Sequence, residues 1–201
     1  SGIPVVATNA DIDGTKRTCC VGINNRKAAR IAGRLMGQFL GGTGKIAVVS
    51  SAIASENNNY YVQVRETEFA DFIHKEYPDI EIITTLDSFE DPQITYEKTV
   101  KLLRDYQDLQ GIYITCGGVS QVGRALEESG RAKDIRVISF EDYPEVVDLI
   151  RKDVIDCTLA GELQQQGEIP VQIIMDYLVF GKEPEQQQIF TDIRVLVKES
   201  L

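Results

Sequence analysis

The chain alternates short apolar runs with longer segments whose apolar residues recur every three or four positions. Runs of 4–8 apolar residues bounded by turn signals read as buried strands, and the longer spacing reads as helix. The clearest unit spans 111–142, GIYITCGGVSQVGRALEESGRAKDIRVISFED. It predicts a strand over 111–115, a glycine break at Cys116-Gly117-Gly118, a helix over 119–129 and a strand over 135–140. Two strands joined through a helix lie parallel, with a right-handed crossover. Ligands of such sheets bind beyond the carboxyl ends of the strands. Here those ends are Cys116-Gly117-Gly118 and Glu141-Asp142.

The same alternation runs through the whole chain. Strands are predicted over 3–9, 19–23, 45–50, 80–86 and 155–160, with one strand or a pair over 189–197. Helices are predicted over 26–40, 60–77, 93–106, 145–152 and 167–180. Asn24-Asn25 can cap the first of these, and Gly41-Gly42 stop it. Polar turns fill 10–18, 51–59 (with Asn57-Asn58-Asn59) and the crossing 161–166. This pattern is that of an α/β fold with parallel sheets and helices on both faces.

Composition narrows the function classes. With 201 residues, 43% of them hydrophobic, the chain can bury a substantial core in one domain or two lobes. A net charge of −10 argues against binding a phosphate backbone. Arg26, Lys27, Arg30 and Arg34 fall on one helix and read as its solvated face. No apolar run of about 18 residues occurs, so no transmembrane helix and no membrane partner are expected. The four cysteines lack disulfide or metal-knuckle spacing and fit a reducing, cytoplasmic compartment.

Candidate chemistry thins out on inspection. Gly41-Gly42-Thr43-Gly44-Lys45 follows a helix and precedes a strand, the reverse of a phosphate loop, and Phe39 stands where that loop needs a glycine. Cys116 sits at a strand end like a nucleophile, but His74 is the only histidine and lies on a helix far away in sequence. The same lone histidine leaves no metal site, and no cofactor is implied. The acidic pairs Asp11/Asp13 and Glu141/Asp142 resemble glycosidase carboxylates, yet loop carboxylates more often cap backbone or accept hydroxyls. The chain is therefore read as a binder and not an enzyme.

Six pieces carry a family resemblance: GIPVVATNADID, VGINNRKAARIAGRLMGQFLGGTGKIAVVSS, NNNYYVQVRETEFADFIHKEYPDIEI, LQGIYITCGGVSQVGRALEESG, IRVISFED and VIDCTLAGELQQQGEIPVQIIMDYLVFGKEP. In order and spacing they resemble the periplasmic-binding-protein-like (type 1) sensor of LacI-type transcription regulators and their sugar-binding relatives. The resemblance implies two α/β lobes that close over a small ligand. It assigns 1–20 and 162–182 to the N-lobe, 21–161 to the C-lobe, and 183–201 to strands returning to the C-lobe. The chain opens on Ser1 without Met, so it is expected to be a fragment with an incomplete N-lobe. Apolar surface is then expected around 3–6 and Ile173.

The resemblance also places the ligand site. Its polar positions fall on Asn9 and Asp11, its helix arginine on Arg65, and its strand-end acid on Glu141. The usual Asn-Asp is replaced by Gly117-Gly118, and the usual Gln by Gly161 with Glu162 beside it. The implied function is effector sensing, for a sugar or sugar-like molecule, in a cytoplasmic homodimeric regulator. DNA would be bound only through a headpiece preceding Ser1. The alternative is an extracytoplasmic solute-binding protein of a transporter.

Overall fold

A computed structural model describes residues 3–11, 14–51 and 60–201. Asp13 and the expected polar loop over 52–59 lie outside the described residues. The chain divides into two compact units: Ser1–Asn24 with Gly161–Arg194, and Asn25–Ala160 with Val195–Leu201.

The larger unit is built on a six-stranded sheet. Its strands are β3 (Thr43–Ser50), β4 (Asp79–Asp87), β5 (Leu109–Ile114), β6 (Arg136–Phe140), β7 (Cys157–Gly161) and β9 (Ile193–Leu196). The order is β4-β3-β5-β6-β7-β9, and the pairs from β4 to β7 are parallel. Between them run α1 (Asn25–Phe39), α2 (Tyr60–Glu76), α3 (Pro92–Asp105), α4 (Val119–Ser129) and α5 (Pro144–Arg151). Central parallel strands are covered on both faces, so they read as continuous apolar runs. On one face Val49, Ile112, Ile114 and Val137 pack with Leu102 of α3, Leu126 of α4 and Ile150 of α5 in a single buried cluster. On the other, Phe69 of α2 stacks on Tyr113 with ring centroids 4.0 Å apart. A Cβ on Gly33 or Gly37 of α1 would collide with Phe72 or Tyr77, so these glycines let the aromatic rings close in.

Arg131 fastens the end of α3 to the sheet. Its guanidinium donates to the carbonyls of Leu103, Tyr106, Gln107 and Leu109 at 2.9–3.0 Å. These oxygens lie at and just beyond the helix end, where intrahelical partners run out.

The smaller unit holds β1 (Val6–Thr8), β2 (Cys19–Ile23), β8 (Gln188–Thr191) and α6 (Leu163–Phe180). Its sheet order is β1-β2-β8, all parallel. One expectation is corrected here. Residues 161–166 are not a polar crossing, because α6 begins at Leu163 and runs through Gly167 and Pro170. Proline lacks the N–H that would bond the carbonyl four residues back; Thr8 Oγ1 donates to that carbonyl, Gln166 O, at 3.0 Å instead. The compact units divide after Asn24, after Ala160 and after Arg194. All of β2 and β8 belong to the smaller unit, because they pair with each other from Cys20↔Gln188 to Ile23↔Thr191. Only Val195–Leu201 of the tail joins the larger unit.

Apolar exposure concentrates in the smaller unit, as expected around 3–6 and Ile173. Ile3, Val171, Leu178 and Phe180 are 63–76% exposed.

Candidate ligand-binding site

The larger unit places Arg65, Gly117, Gly118 and Glu141 at the carboxyl edge of its sheet or on the helix above it. Asn9, Asp11 and Glu162 belong to the smaller unit.

Arg65 is the centre of the first group. It sits on α2 and is only 9% exposed. Its Nε donates to Asn25 Oδ1 at 2.7 Å and its Nη1 to the Thr115 carbonyl at 3.2 Å. Its Nη2 lies 3.5 Å from Glu141 Oε1. The guanidinium rests 3.9 Å from the centre of the Phe140 ring. Burial pushes its pKa below the usual arginine range, and the nearby Tyr113 and Glu141 pull it back up. Arginine stays protonated under such shifts. Five N–H groups in a planar fork leave N–H on both terminal nitrogens for a ligand.

Glu141 adopts a left-handed backbone, φ +68°. A non-glycine residue there costs roughly 1–3 kcal/mol and needs its surroundings to hold it. Its N–H donates to the Leu159 carbonyl at 2.8 Å, and its carbonyl accepts from Thr158 Oγ1 at 2.7 Å. Both partners lie on β7. The strained turn after β6 aims the carboxylate back toward Arg65.

The two glycines have different roles. Gly118 has φ +91° and caps the start of α4, and a Cβ on it would come within 2.8 Å of Thr95 Cγ2. Gly117 would meet nothing within 4 Å. Gly118 is thus required by the turn, while Gly117 leaves open space at the strand end. Cys116 beside them is buried, with Ser88 Oγ 3.4 Å from its sulfur. Burial pushes its thiol up, Ser88 and Ser51 counteract this, and Glu90 and Asp87 raise it further. A thiol held protonated is a poor nucleophile.

In the smaller unit Asn9 ends β1 with φ +63°, a conformation asparagine tolerates. Its N–H donates to the Val21 carbonyl at 2.9 Å, and its side chain is exposed. Asp11 is gripped by the fork of Arg17 through both carboxylate oxygens. Glu162 starts α6 and lies 3.3 Å from Arg194 Nε. A Cβ on Gly161 would strike the Gln166 amide at 2.1 Å, so that amide fills the space beside the glycine.

Asn25, Thr115 and Phe140 were missed as site residues by sequence reasoning. Asn25 showed only as a helix cap. Nothing local marks an acceptor for a residue 40 positions away. Among the described residues no group of three or more His, Cys, Asp or Glu is placed to hold a metal, and no helix is long and apolar enough to cross a membrane.

With this geometry in hand, the chain can be set beside known proteins. A family model described as "Periplasmic binding protein domain" matches residues 1–183. The sugar-binding protein of a sugar ABC transporter from Bacillus halodurans has a similar structure: TM-score 0.88, 27% identity, 98% of this chain and 70% of that one. The arabinose-binding protein AraP from Geobacillus stearothermophilus gives TM-score 0.87 and 25% identity over 98% and 69%. GanP, a glucose-galactose binding protein from the same organism, gives 0.87 and 24% over 99% and 69%, which speaks to the fold alone. No curated protein sequence matches the chain significantly. The fold is that of periplasmic-binding-protein-like type 1 domains, α/β with mostly parallel sheets.

Proposed function

The chain belongs to the periplasmic binding protein domain family, and from that premise we propose that it binds a small neutral sugar for a transporter. The observation that carries this reading is the Arg65 fork, held from behind by Asn25 and the Thr115 carbonyl and stacked on Phe140. It presents a pre-set pair of donors suited to adjacent hydroxyl oxygens. The similar structures reported above are sugar-binding proteins, which favours transport over the regulator expected from sequence.

Charge selects the ligand class. Glu141 already offsets Arg65 at 3.5 Å. Asp87 and Glu90 add carboxylates near Cys116, and Lys98 supplies one ammonium at the Asp87 carbonyl. Among the described residues at this sheet edge no surplus positive charge is left to compensate a buried ligand carboxylate. A neutral polyol meets this edge without that cost, and Glu141 accepts its hydroxyls.

The regulator reading keeps one observation, the four free and buried cysteines. They fit a reducing compartment. DNA binding and a homodimer belong to that reading and gain no support from the similar structures. Extracytoplasmic location belongs to the transport reading.

Calorimetry with D-glucose, D-galactose, D-xylose, L-arabinose and D-arabinose, and with the corresponding sugar acids, tests the proposal. Binding of one or more neutral sugars, with the acids at least tenfold weaker, is expected. Preference for the acids overturns the charge argument, and no binding of either class overturns the sugar reading.

A further inference from the structure

Asn25 holds an unusual post. It is the first residue after the chain passes from the smaller unit to the larger, and the first residue of α1. It is 6% exposed. A polar side chain at a helix start ordinarily accepts from backbone N–H groups of the first turn. Here the side-chain oxygen accepts from Arg65 Nε, 40 residues away, at 2.7 Å. Arginine has no acceptor, so the facing atom of the amide is its oxygen and not its nitrogen.

The inner nitrogen is the one that matters for aim. Fixing Nε–H fixes the plane and direction of the whole fork. The Thr115 carbonyl at 3.2 Å gives a second fixed point, and the Phe140 ring 3.9 Å away fixes the plane. The remaining contact, Nη2 to Glu141, is longer at 3.5 Å and is the one a ligand can share. Glu141 in turn bonds through its backbone to Leu159 and Thr158, on the strand that ends where the chain crosses again at Gly161. Each charged group of the site is therefore one hydrogen bond from a segment that leads out of the larger unit.

We propose that Asn25 is the positioning residue of Arg65: it sets the fork in its binding posture before ligand arrives and ties that posture to the first crossover. The proposal rests on the ligand-binding reading of Arg65.

The test uses Asn25→Ala and Asn25→Asp, which remove and keep the acceptor. The first readout needs no ligand. The Arg65 Nε–H resonance, assigned by its loss in Arg65→Lys, is followed by NMR in the apo protein. It is expected to be protected from exchange in the wild type and in N25D, and to exchange rapidly in N25A. An unchanged resonance in N25A overturns the proposal. The second readout is calorimetry with whichever of the five neutral sugars binds tightest. A loss of tenfold or more is expected in N25A, with N25D recovering most of it. Equal losses in both variants show that the acceptor oxygen is not what sets the fork and overturn the proposal. If the wild type binds none of the sugars, the sugar reading falls and the resonance alone decides the positioning role. Should N25A fail to fold, Asn25→Leu, close in size and without an acceptor, takes its place in both readouts.

Discussion

Arg65→Met separates what the buried cation costs from what it does. In the folded protein Arg65 is nine-tenths buried and faces one carboxylate at 3.5 Å. Methionine forfeits the bonds to Asn25 Oδ1 and the Thr115 carbonyl. Orphaning a buried acceptor costs about 1–3 kcal/mol, and Asn25 can turn to recover part of this. It also forfeits the stacking on Phe140, about 2 kcal/mol when desolvated. Against these losses stands relief of the guanidinium's desolvation, several kcal/mol. A thioether against Phe140 returns about 1 kcal/mol. The opposing terms nearly cancel, so R65M should unfold in urea within about 2 kcal/mol of the wild type. Lysine should be less stable than methionine, because its ammonium stays buried without a fork that spans Asn25 and Thr115. Ligand affinity should behave otherwise. Two charge-assisted bonds to ligand oxygens are worth about 1.5–3 kcal/mol each, so R65M should weaken sugar binding at least about 100-fold by calorimetry. A variant destabilised by more than about 4 kcal/mol, or one that keeps its sugar affinity, would make Arg65 a core scaffold residue and refute the reasoning.

Three further outcomes are expected. Gly118→Ala should destabilise by about 2–3 kcal/mol, from the left-handed backbone and the Thr95 contact; Gly117→Ala, facing open space, should cost under about 1 kcal/mol, and equal denaturation midpoints would refute the distinction. Arg131→Ala should cost about 2–3 kcal/mol, mostly from the part-buried Leu103 and Leu109 carbonyls, and a loss under about 1 kcal/mol would show that water replaces the guanidinium. Burial pushes the Cys157 thiol up from 9.0 to about 12. Over that window the unfolded chain loses a proton that the native protein keeps, so stability falls as pH rises, by up to about 1.4 kcal/mol per pH unit. Below pH 8 this thiol contributes no slope; Cys157→Ala should flatten the fall at high pH, and a wild-type slope in C157A would exclude the thiol as its source.

The fold was legible where burial acts locally. The strands over 45–50 and 135–140 are covered on both faces, so their sequence carries the burial directly as unbroken apolar runs. Helix stops were legible for the same kind of reason. Gly41, Gly130 and Gly181 all take positive φ at a helix end. The start of α6 was illegible because 161–166 carries a single apolar residue, Leu163, ahead of the breaker signals Gly167 and Pro170 that stand inside the predicted helix. What overrides them is tertiary, the Thr8 hydroxyl that accepts no role in any local pattern yet satisfies the Gln166 carbonyl. The placement of β8 was hidden by distance: its partner β2 lies more than 160 positions earlier, and pairing across that span leaves no periodic trace.

The site was less legible than the fold, and the reason is physical. A binding side chain is marked by what it faces, and sequence shows only what it follows. Arg65 reads as an ordinary helical charge until the family pattern singles it out, and its burial depends on α1, β5 and β6 closing around it. Asp11, Glu141 and Glu162 look alike in the sequence as loop carboxylates, and nothing local shows that each meets an arginine: Arg17, Arg65 and Arg194. Glu141 has no local reason to adopt a left-handed backbone, since glutamate is not a residue that favours it. Two bonds with β7 hold the turn. A strained backbone, a buried cation and a carboxylate 3.5 Å from it each cost stability where they stand. Their coincidence at one sheet edge is better explained by a ligand that all three serve than by the folding of any one of them.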